Sequence, residues 1–208
     1  MDFLIYILLG FGVSVLGSIM PSMLNITVIK FSLNSGRKSA FYLILGISTI
    51  IAIQANIGAY FSGILMKNSD YVTTLQKIGT VILALISINF FRIYLKTSKK
   101  KRKERVQSKA AYWHGFFLSA LNVFALPFFF SMVSLLIAFR LFEYTLLNGV
   151  YFSIGSVLGT IALLTLYSFV ARRIEEKIAF LANKMDLVLG CLTAIIAIGN
   201  TAYLFYKQ

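Results

Sequence analysis

The sequence predicts an all-α integral membrane protein with six transmembrane helices, built as two inverted three-helix repeats whose first and fourth helices are broken. Three observations lead to this fold class. Hydrophobic residues make up 59% of the 208 residues and mean hydropathy is +0.83, which is more apolar surface than a soluble domain of this size can bury. The charged residues lie almost wholly between long apolar runs. The chain's two prolines, Pro21 and Pro127, both fall inside such runs, about half a chain apart.

Six apolar segments are long enough to cross a membrane, because about 20 helical residues span a hydrocarbon core of about 30 Å. The predicted spans are residues 3–29, 39–66, 72–95, 110–139, 144–171 and 187–206. The third span is the least apolar, since it contains Lys77 and Arg92, but both side chains can reach the head groups. A basic linker at 96–109 separates the predicted repeats, 1–95 and 110–208, of a single domain.

The net charge of +13 is typical of nucleic-acid-binding proteins, but its placement favours a membrane. With six spans, most Lys and Arg residues fall in the loops at 30–38, 96–109 and 172–184, all on one side. Short loops rich in Lys and Arg stay cytoplasmic, so we expect a multi-pass protein of the bacterial cytoplasmic membrane with both termini outside. The linker then anchors the topology and contacts anionic lipid, with no nucleic-acid partner. No Lys or Arg precedes the first apolar run, which argues against a cleaved signal peptide.

A proline inside a helix removes one backbone hydrogen bond, and in lipid the freed carbonyl groups need another partner or a cavity. Pro21 therefore predicts either a kink or a broken helix whose second half presents the N–H groups of residues 22–25 to an anion. The second half of the chain repeats the pattern: Gly10-Phe11 stands before Pro21 much as Gly115-Phe116 stands before Pro127. Inverted repeats with broken helices are typical of transporters.

Polar side chains within the spans are the candidate site, because each must be satisfied away from water. Carboxamides both donate and accept, so the Asn residues beside the two breaks either mend the backbone or bind a zwitterion. One face of the fifth span carries Gly149, Ser153, Ser156, Thr160 and Tyr167, which indicates a transport path or close helix packing. The predicted substrate-binding residues are Pro21, Ser22, Asn25, Asn56, Ser119, Asn122, Pro127, Ser153, Ser156 and Tyr167.

In the second span, Gln54 and Asn56 point about 200° apart, so one narrow path cannot use both. The sequence leaves open which of them faces the path. No carboxylate lies inside a predicted span, and the candidates for proton coupling are His114, Glu143 and Asp186 at span ends. His114 is also typical of a head-group contact. With one histidine and one cysteine (Cys191), we expect no metal site, no cofactor and no catalytic set.

Two segments are similar to a known family pattern. Pro21-Ser22-Met23-Leu24-Asn25, followed by Gly36-Arg37-Lys38, occupies the place of a Pro-Gly-Pro-Asn-Asn run and a basic Gly-Arg-Arg loop. Gly115-Phe116-Phe117-Leu118 with Leu121-Asn122 is similar to a second motif, Gly-Phe-Leu…Leu-Asn-Pro. On these residues the chain resembles the lysine-exporter (LysE/RhtB) family. It departs from the family at Ser22, Met23 and Val123, where the family has Gly or Pro.

The resemblance implies a membrane transporter that exports an amino acid or a similar small metabolite, rather than an enzyme. The alternatives are an inorganic-cation exporter, a membrane scaffold subunit without transport and, third, an intramembrane enzyme. A cation exporter is disfavoured because hard cations need carboxylates that the spans lack. Proton coupling remains open against facilitated efflux, which we favour slightly, and a homodimer remains open against a monomer.

Overall fold

The computed structural model describes residues 2–19, 22–67, 108–122 and 124–206, together with helical positions 81, 84, 87, 88 and 92. Helices are the regular secondary structure of this part of the chain, joined by short turns. Its helices are α1 (Asp2–Ile19), α2 (Met23–Ser35), α3 (Arg37–Lys67), α4 (Ser108–Ala120), α5 (Ala125–Ala138) and α6 (Leu146–Tyr206). Most of the third predicted span and the linker up to residue 107 lie outside the described residues. In α6, side chains are described as far as Ala171 and at a few later positions.

Two of these helices, at 37–65 in α3 and 146–171 in α6, are each long and apolar enough to cross a membrane. The pair α1 and α2 passes the same test when taken together, with a bend of 80° between them, and so does the pair α4 and α5, with a bend of 63°. The described residues therefore provide two crossings, or four when each bent pair counts as one. The six helices do not correspond one to one to the six predicted spans, because each broken span contributes two helices.

The first break separates Ile19 at the end of α1 from Met23 at the start of α2. Pro21 belongs to this gap by sequence and lies outside the described residues. Ser22 precedes α2 with extended backbone, φ −130° and ψ 171°, as an N-cap residue does. At the other end of α2, Gly36 adopts φ 87°, which lets α3 begin at the next residue.

The second break lies at residues 121–124, before Pro127. The Asn122 N–H donates to Ser119 O at 3.0 Å and the Ala125 N–H donates to Asn122 O at 3.3 Å, so two tight turns replace the α-helical ladder. Pro127 is the third residue of α5, where a helix lacks intrahelical N–H bonds anyway. Pro127 therefore lies inside the first turn of the new helix, and the break precedes it.

The fifth and sixth predicted spans form one continuous helix, α6, of 61 residues. The sequence analysis placed a charged loop at 172–186 between them, and the structure differs there. Between Gly159 and Gly190 the chain has neither Gly nor Pro and is rich in Ala, Leu, Glu, Lys and Arg, which are strong helix formers. At 1.5 Å per residue α6 is about 90 Å long, so only part of it fits in one crossing of a core of about 30 Å.

The helices pack crosswise through glycines. Gly10 of α1 packs on the backbone of Phe152 in α6, and Gly155 of α6 packs on the backbone of Ile7 in α1. Any side chain at these glycines would overlap the neighbouring backbone. In the same way Gly46 of α3 packs on Tyr112 of α4, and Gly115 of α4 packs on Leu43 of α3. Close approach of helices through small residues is the usual packing mode in membranes.

The contacts also give the helix directions. From Gly10 with Phe152 to Ile19 with Tyr167, residue numbers in α1 and α6 rise together, so these helices are parallel. Between α3 and α4 they also rise together, from Gly46 with Tyr112 to Gln54 with Ser119. Residue numbers run in opposite directions between α3 and α6. Asn56 lies by Gly149, and Gly63 lies by Tyr144, two residues before α6 begins. It follows that α1 and α4 run in opposite directions.

Candidate functional site

The first break is closed by side chains that bind the last carbonyl groups of α1. The Asn25 Nδ2 donates to Ser18 O at 2.8 Å, and the Ser22 hydroxyl donates to Asn25 Oδ1 at 2.9 Å. The Tyr167 hydroxyl of α6 donates to Ile19 O at 3.1 Å. Asn25 is only 1% exposed. Asn25 therefore connects the two half-helices, and Tyr167 supplies a donor from the second half of the chain.

The second break is closed by Gln54, which comes from the first half of the chain. Its Nε2 donates to Ser119 O at 3.3 Å and to Asn122 O at 3.4 Å. Gln54 is 6% exposed and Ser119 is fully buried. Gln54 Oε1 and the Ser119 hydroxyl have no hydrogen-bond partner in the described part of the chain. Two buried polar atoms thus remain available at this break.

The two breaks are neighbours. Gly17 lies two residues before the end of α1, and Phe128 is the fourth residue of α5. A Cβ atom on Gly17 would lie 2.6 Å from Cε1 of Phe128, so the phenyl ring occupies the space that the glycine leaves. The end of α1 and the start of α5 are therefore in direct contact, which brings both breaks to the interface between the halves of the chain.

The predicted serines of the fifth span lie in helix contacts. Ser153 donates to Gly149 O at 2.8 Å, and Ser156 donates to Phe152 O at 2.9 Å and to Gly10 O at 3.3 Å. One turn further along α6, Ser14 and Thr160 share a hydrogen bond of 2.7 Å between their hydroxyls. These bonds use the hydroxyls for their own helix and for the contact with α1, as in packing through small polar residues.

Asn56 lies on the other side of α3 from Gln54, as the 200° separation predicts. It lines a groove of about 540 Å³ between α3 and α6, together with Ser153 and apolar side chains such as Ile53, Ile57 and Leu158. Ile53 is half exposed, so the groove opens on the outer surface. The structure therefore brings Ser22, Asn25, Ser119, Asn122, Pro127 and Tyr167 to the breaks and leaves Asn56 and Ser153 at the groove.

Neither described candidate for proton coupling lies at a break. His114 is exposed at the start of α4, and its ring centroid is 5.2 Å from that of Phe31. Glu143 is exposed between α5 and α6, and its backbone oxygen accepts a hydrogen bond from Asn148 Nδ2. The side chain of Asp186 lies outside the described residues. Within the described ranges, no three His, Cys, Asp or Glu residues are grouped to hold a metal ion.

The sequence analysis did not assign Gln54, Gly17 or Phe128 to the site. Gln54 carried a usable signal, because a carboxamide inside an uncharged span needs a partner away from water. The contact of Gly17 with Phe128 had no recognisable signal in the sequence, because both residue types are common in apolar helices.

A family model described as LysE type translocator matches residues 6–206. The match covers both breaks and nearly all of the described helices. Neither a curated protein nor a solved structure matches the chain significantly.

Proposed function

Because the chain belongs to the LysE type translocator family, whose members are transporters and not enzymes, we propose that it exports amino acids or closely related small zwitterions. The family and the apolar helices make it a multi-pass membrane protein that exports small molecules. The family does not specify the substrate. We propose a zwitterion because of the chemistry of the two breaks.

The observation that carries the proposal is the contact of Gly17, near the end of α1, with Phe128, near the start of α5, which brings the helices beside the two breaks together. After the first break, α2 begins with backbone N–H groups that have no intrahelical acceptor, and this positive helix end favours a carboxylate. At the second break, Gln54 Oε1 is a buried acceptor without a donor among the described residues, whereas the carbonyl groups of Ser119 and Asn122 already accept from backbone N–H groups and from Gln54 Nε2. An amino acid carries a carboxylate and an ammonium close together, so the helix start at the first break and the buried acceptor at the second suit it.

We propose that the chain transports by alternating access, and that a pair of inverted repeats provides the two halves that move. The crosswise packing supports it, since each first helix packs on the second crossing of the other half, and α1 and α4 run in opposite directions. Two serine pairs support it as well. Ser32 of α2 bonds to Ser168 of α6, and Ser134 of α5 bonds to Ser62 of α3. Both termini would then lie outside the bacterial cytoplasmic membrane.

Transport by the purified protein tests the function. Proteoliposomes are loaded with an equimolar mixture of the common amino acids, and the efflux of each is compared with protein-free vesicles. We expect accelerated efflux of one amino acid or a chemically related group. If correctly folded protein accelerates none of them, the proposal is wrong, and parallel vesicles loaded with divalent cations test the inorganic-cation alternative.

We further propose facilitated efflux without proton coupling. The exposed His114 and Glu143 do not lie at the breaks, and no Asp or Glu lies within a predicted span. We expect counterflow of the transported amino acid without a pH gradient and no uphill accumulation when a gradient is imposed. Uphill movement that disappears in His114→Ala, Glu143→Gln or Asp186→Asn would overturn this proposal and identify the coupling group.

A further inference from the structure

The second break contains an amide group whose orientation is fixed. Gln54 Nε2 is within 3.4 Å of two carbonyl oxygens, Ser119 O and Asn122 O, and both can only accept. Exchanging the amide nitrogen and oxygen would set Oε1 against these carbonyls, so the orientation is the one with the nitrogen toward the break. Gln54 Oε1 is therefore a buried acceptor without a donor among the described residues.

The Ser119 hydroxyl is also fully buried and has no partner among the described residues. An alanine at this position would lose no hydrogen bond that the described part of the chain shows. Buried polar atoms are rarely left unpaired, because their desolvation is unfavourable. Two such atoms at one break, on residues already joined through Gln54 Nε2 and Ser119 O, indicate a bound group that supplies donors.

The unpaired atoms of the break restrict that group. The break joins the negative C-terminal end of α4 to the positive N-terminal end of α5, so the helix ends alone do not decide the charge of the group. Gln54 Oε1 can only accept, so a carboxylate or a fully ionised phosphate offers it no donor. A protonated amine has only N–H donors, so it matches Gln54 Oε1 and the oxygen of the Ser119 hydroxyl.

We propose that Gln54 and Ser119 form an ammonium-binding subsite at the second break, which recognises the amino group of the exported substrate. The assignment to a substrate rests on the proposed function, whereas the affinity for a protonated amine does not. Gln54 has two roles in this subsite: its nitrogen closes the break and its oxygen accepts from the ligand.

Ser119→Ala is the decisive variant, because it removes one proposed ligand atom and no hydrogen bond among the described residues. Ser48→Ala is its matched control, since Ser48 is also buried, on α3, with a hydroxyl that lacks a partner in the described residues. The probes are methylammonium and tetramethylammonium, which carry the same charge but only the first of which has N–H donors. We expect methylammonium to raise the Tm of the wild type and of Ser48→Ala, and to have a clearly smaller effect on Ser119→Ala.

In the transport assay, Ser119→Ala should raise the KM for the transported amino acid about ten- to hundredfold, as expected for the loss of one hydrogen bond to a charged group. An equal response of Ser119→Ala and the wild type to methylammonium, or an equal effect of the two probes, would overturn the subsite and leave water as its occupant. Efflux with an unchanged KM in Ser119→Ala would reject the subsite alone. Specific methylammonium binding without any amino-acid efflux would reject the proposed function and retain the subsite.

Discussion

At the residue scale, Asn25 shows how a polar side chain in a span can serve the backbone. Its amide donates to Ser18 O across the first break and accepts from the Ser22 hydroxyl, and the residue is only 1% exposed. We expect Asn25→Ala to lower the free energy of unfolding by about 1–3 kcal/mol, because Ser18 O would lose its donor in a buried site. Thr27→Val is the control, since the hydrogen bond of Thr27 in the described structure is to Met23 O of its own helix, at a more accessible position. Thermal unfolding in detergent measures both.

Transport by the same variants separates the two roles of Asn25 that the sequence left open. Loss of transport in Asn25→Ala with unchanged stability would contradict the bridging role and assign the carboxamide to the substrate. The sequence predicted that Asn25 adjoins a break, because Pro21 marks that break. It could not identify Ser18 O as the partner, since the 80° bend between α1 and α2 decides which carbonyl the side chain reaches.

At the element scale, glycines set the distance between α1 and α6. Gly155 packs on the backbone of Ile7, whereas Gly12 of α1 has no described atom within 4 Å of a Cβ position. Gly155→Ala should therefore destabilise the protein by about 1–3 kcal/mol through overpacking. Gly12→Ala should leave stability unchanged or raise it by up to about 1 kcal/mol, because alanine is the better helix former. Equal unfolding temperatures for the two variants would contradict the close approach.

The serine pairs are a second test at this scale. The hydroxyls of Ser32 and Ser168 are 2.9 Å apart, and those of Ser62 and Ser134 are 3.2 Å apart. Once the exposed Cys191 is replaced by Ser, mild oxidation should crosslink Ser32→Cys with Ser168→Cys, and Ser62→Cys with Ser134→Cys. The combination Ser32→Cys with Ser134→Cys should stay reduced. Because each crosslink ties a half-helix to the other half of the chain, we expect both to stop transport and reduction to restore it. Crosslinked protein with full transport would contradict this.

Local sequence rules predicted much about the helices and their breaks. They failed where tertiary packing or helix propensity determined the structure. Pro21 located the first break within two residues, but Pro127 lies inside α5, because a proline is tolerated in the first turn of a helix. The angle between Gln54 and Asn56 followed from helical geometry, whereas their neighbours did not. Gln54 reaches α4 because Gly46 and Gly115 allow α3 and α4 to pack closely.

At the scale of the whole molecule, the contacts extend the sequence analysis. Weak similarity between the Gly10 and Gly115 segments was the basis for two related halves. The structure adds reciprocal features, since each break is closed from the other half, by Tyr167 and by Gln54. Sequence could not supply these pairs, because they join residues more than 60 positions apart whose types differ. Each half of the chain thus supplies a side chain that closes the break in the other half. A movement of one half relative to the other must therefore disturb both breaks.

The last prediction concerns the C-terminal part of α6. Residues 187–206 are uncharged, and Ile195 and Ile198 are 67% and 69% exposed when α6 is continuous. In the proposed topology, a continuous α6 would place this apolar run in the cytoplasm, where each exposed isoleucine side chain forgoes about 1.5–3 kcal/mol of burial. A turn within 172–186 would return the run to the bilayer, and the cations there favour a cytoplasmic position for that turn.

We therefore expect α6 to bend between 172 and 186 in the membrane and residue 208 to lie outside the cell. Single cysteines at 178 and 208, in a protein whose Cys191 is replaced by Ser, are labelled in intact cells with a reagent that does not cross membranes. Label at 208 and protection at 178 are the expected result, with cell lysis making 178 reactive as the control. Protection of both positions until lysis would mean that the 61-residue helix continues into the cytoplasm. The second repeat would then have two crossings, and the inverted three-helix arrangement would be wrong.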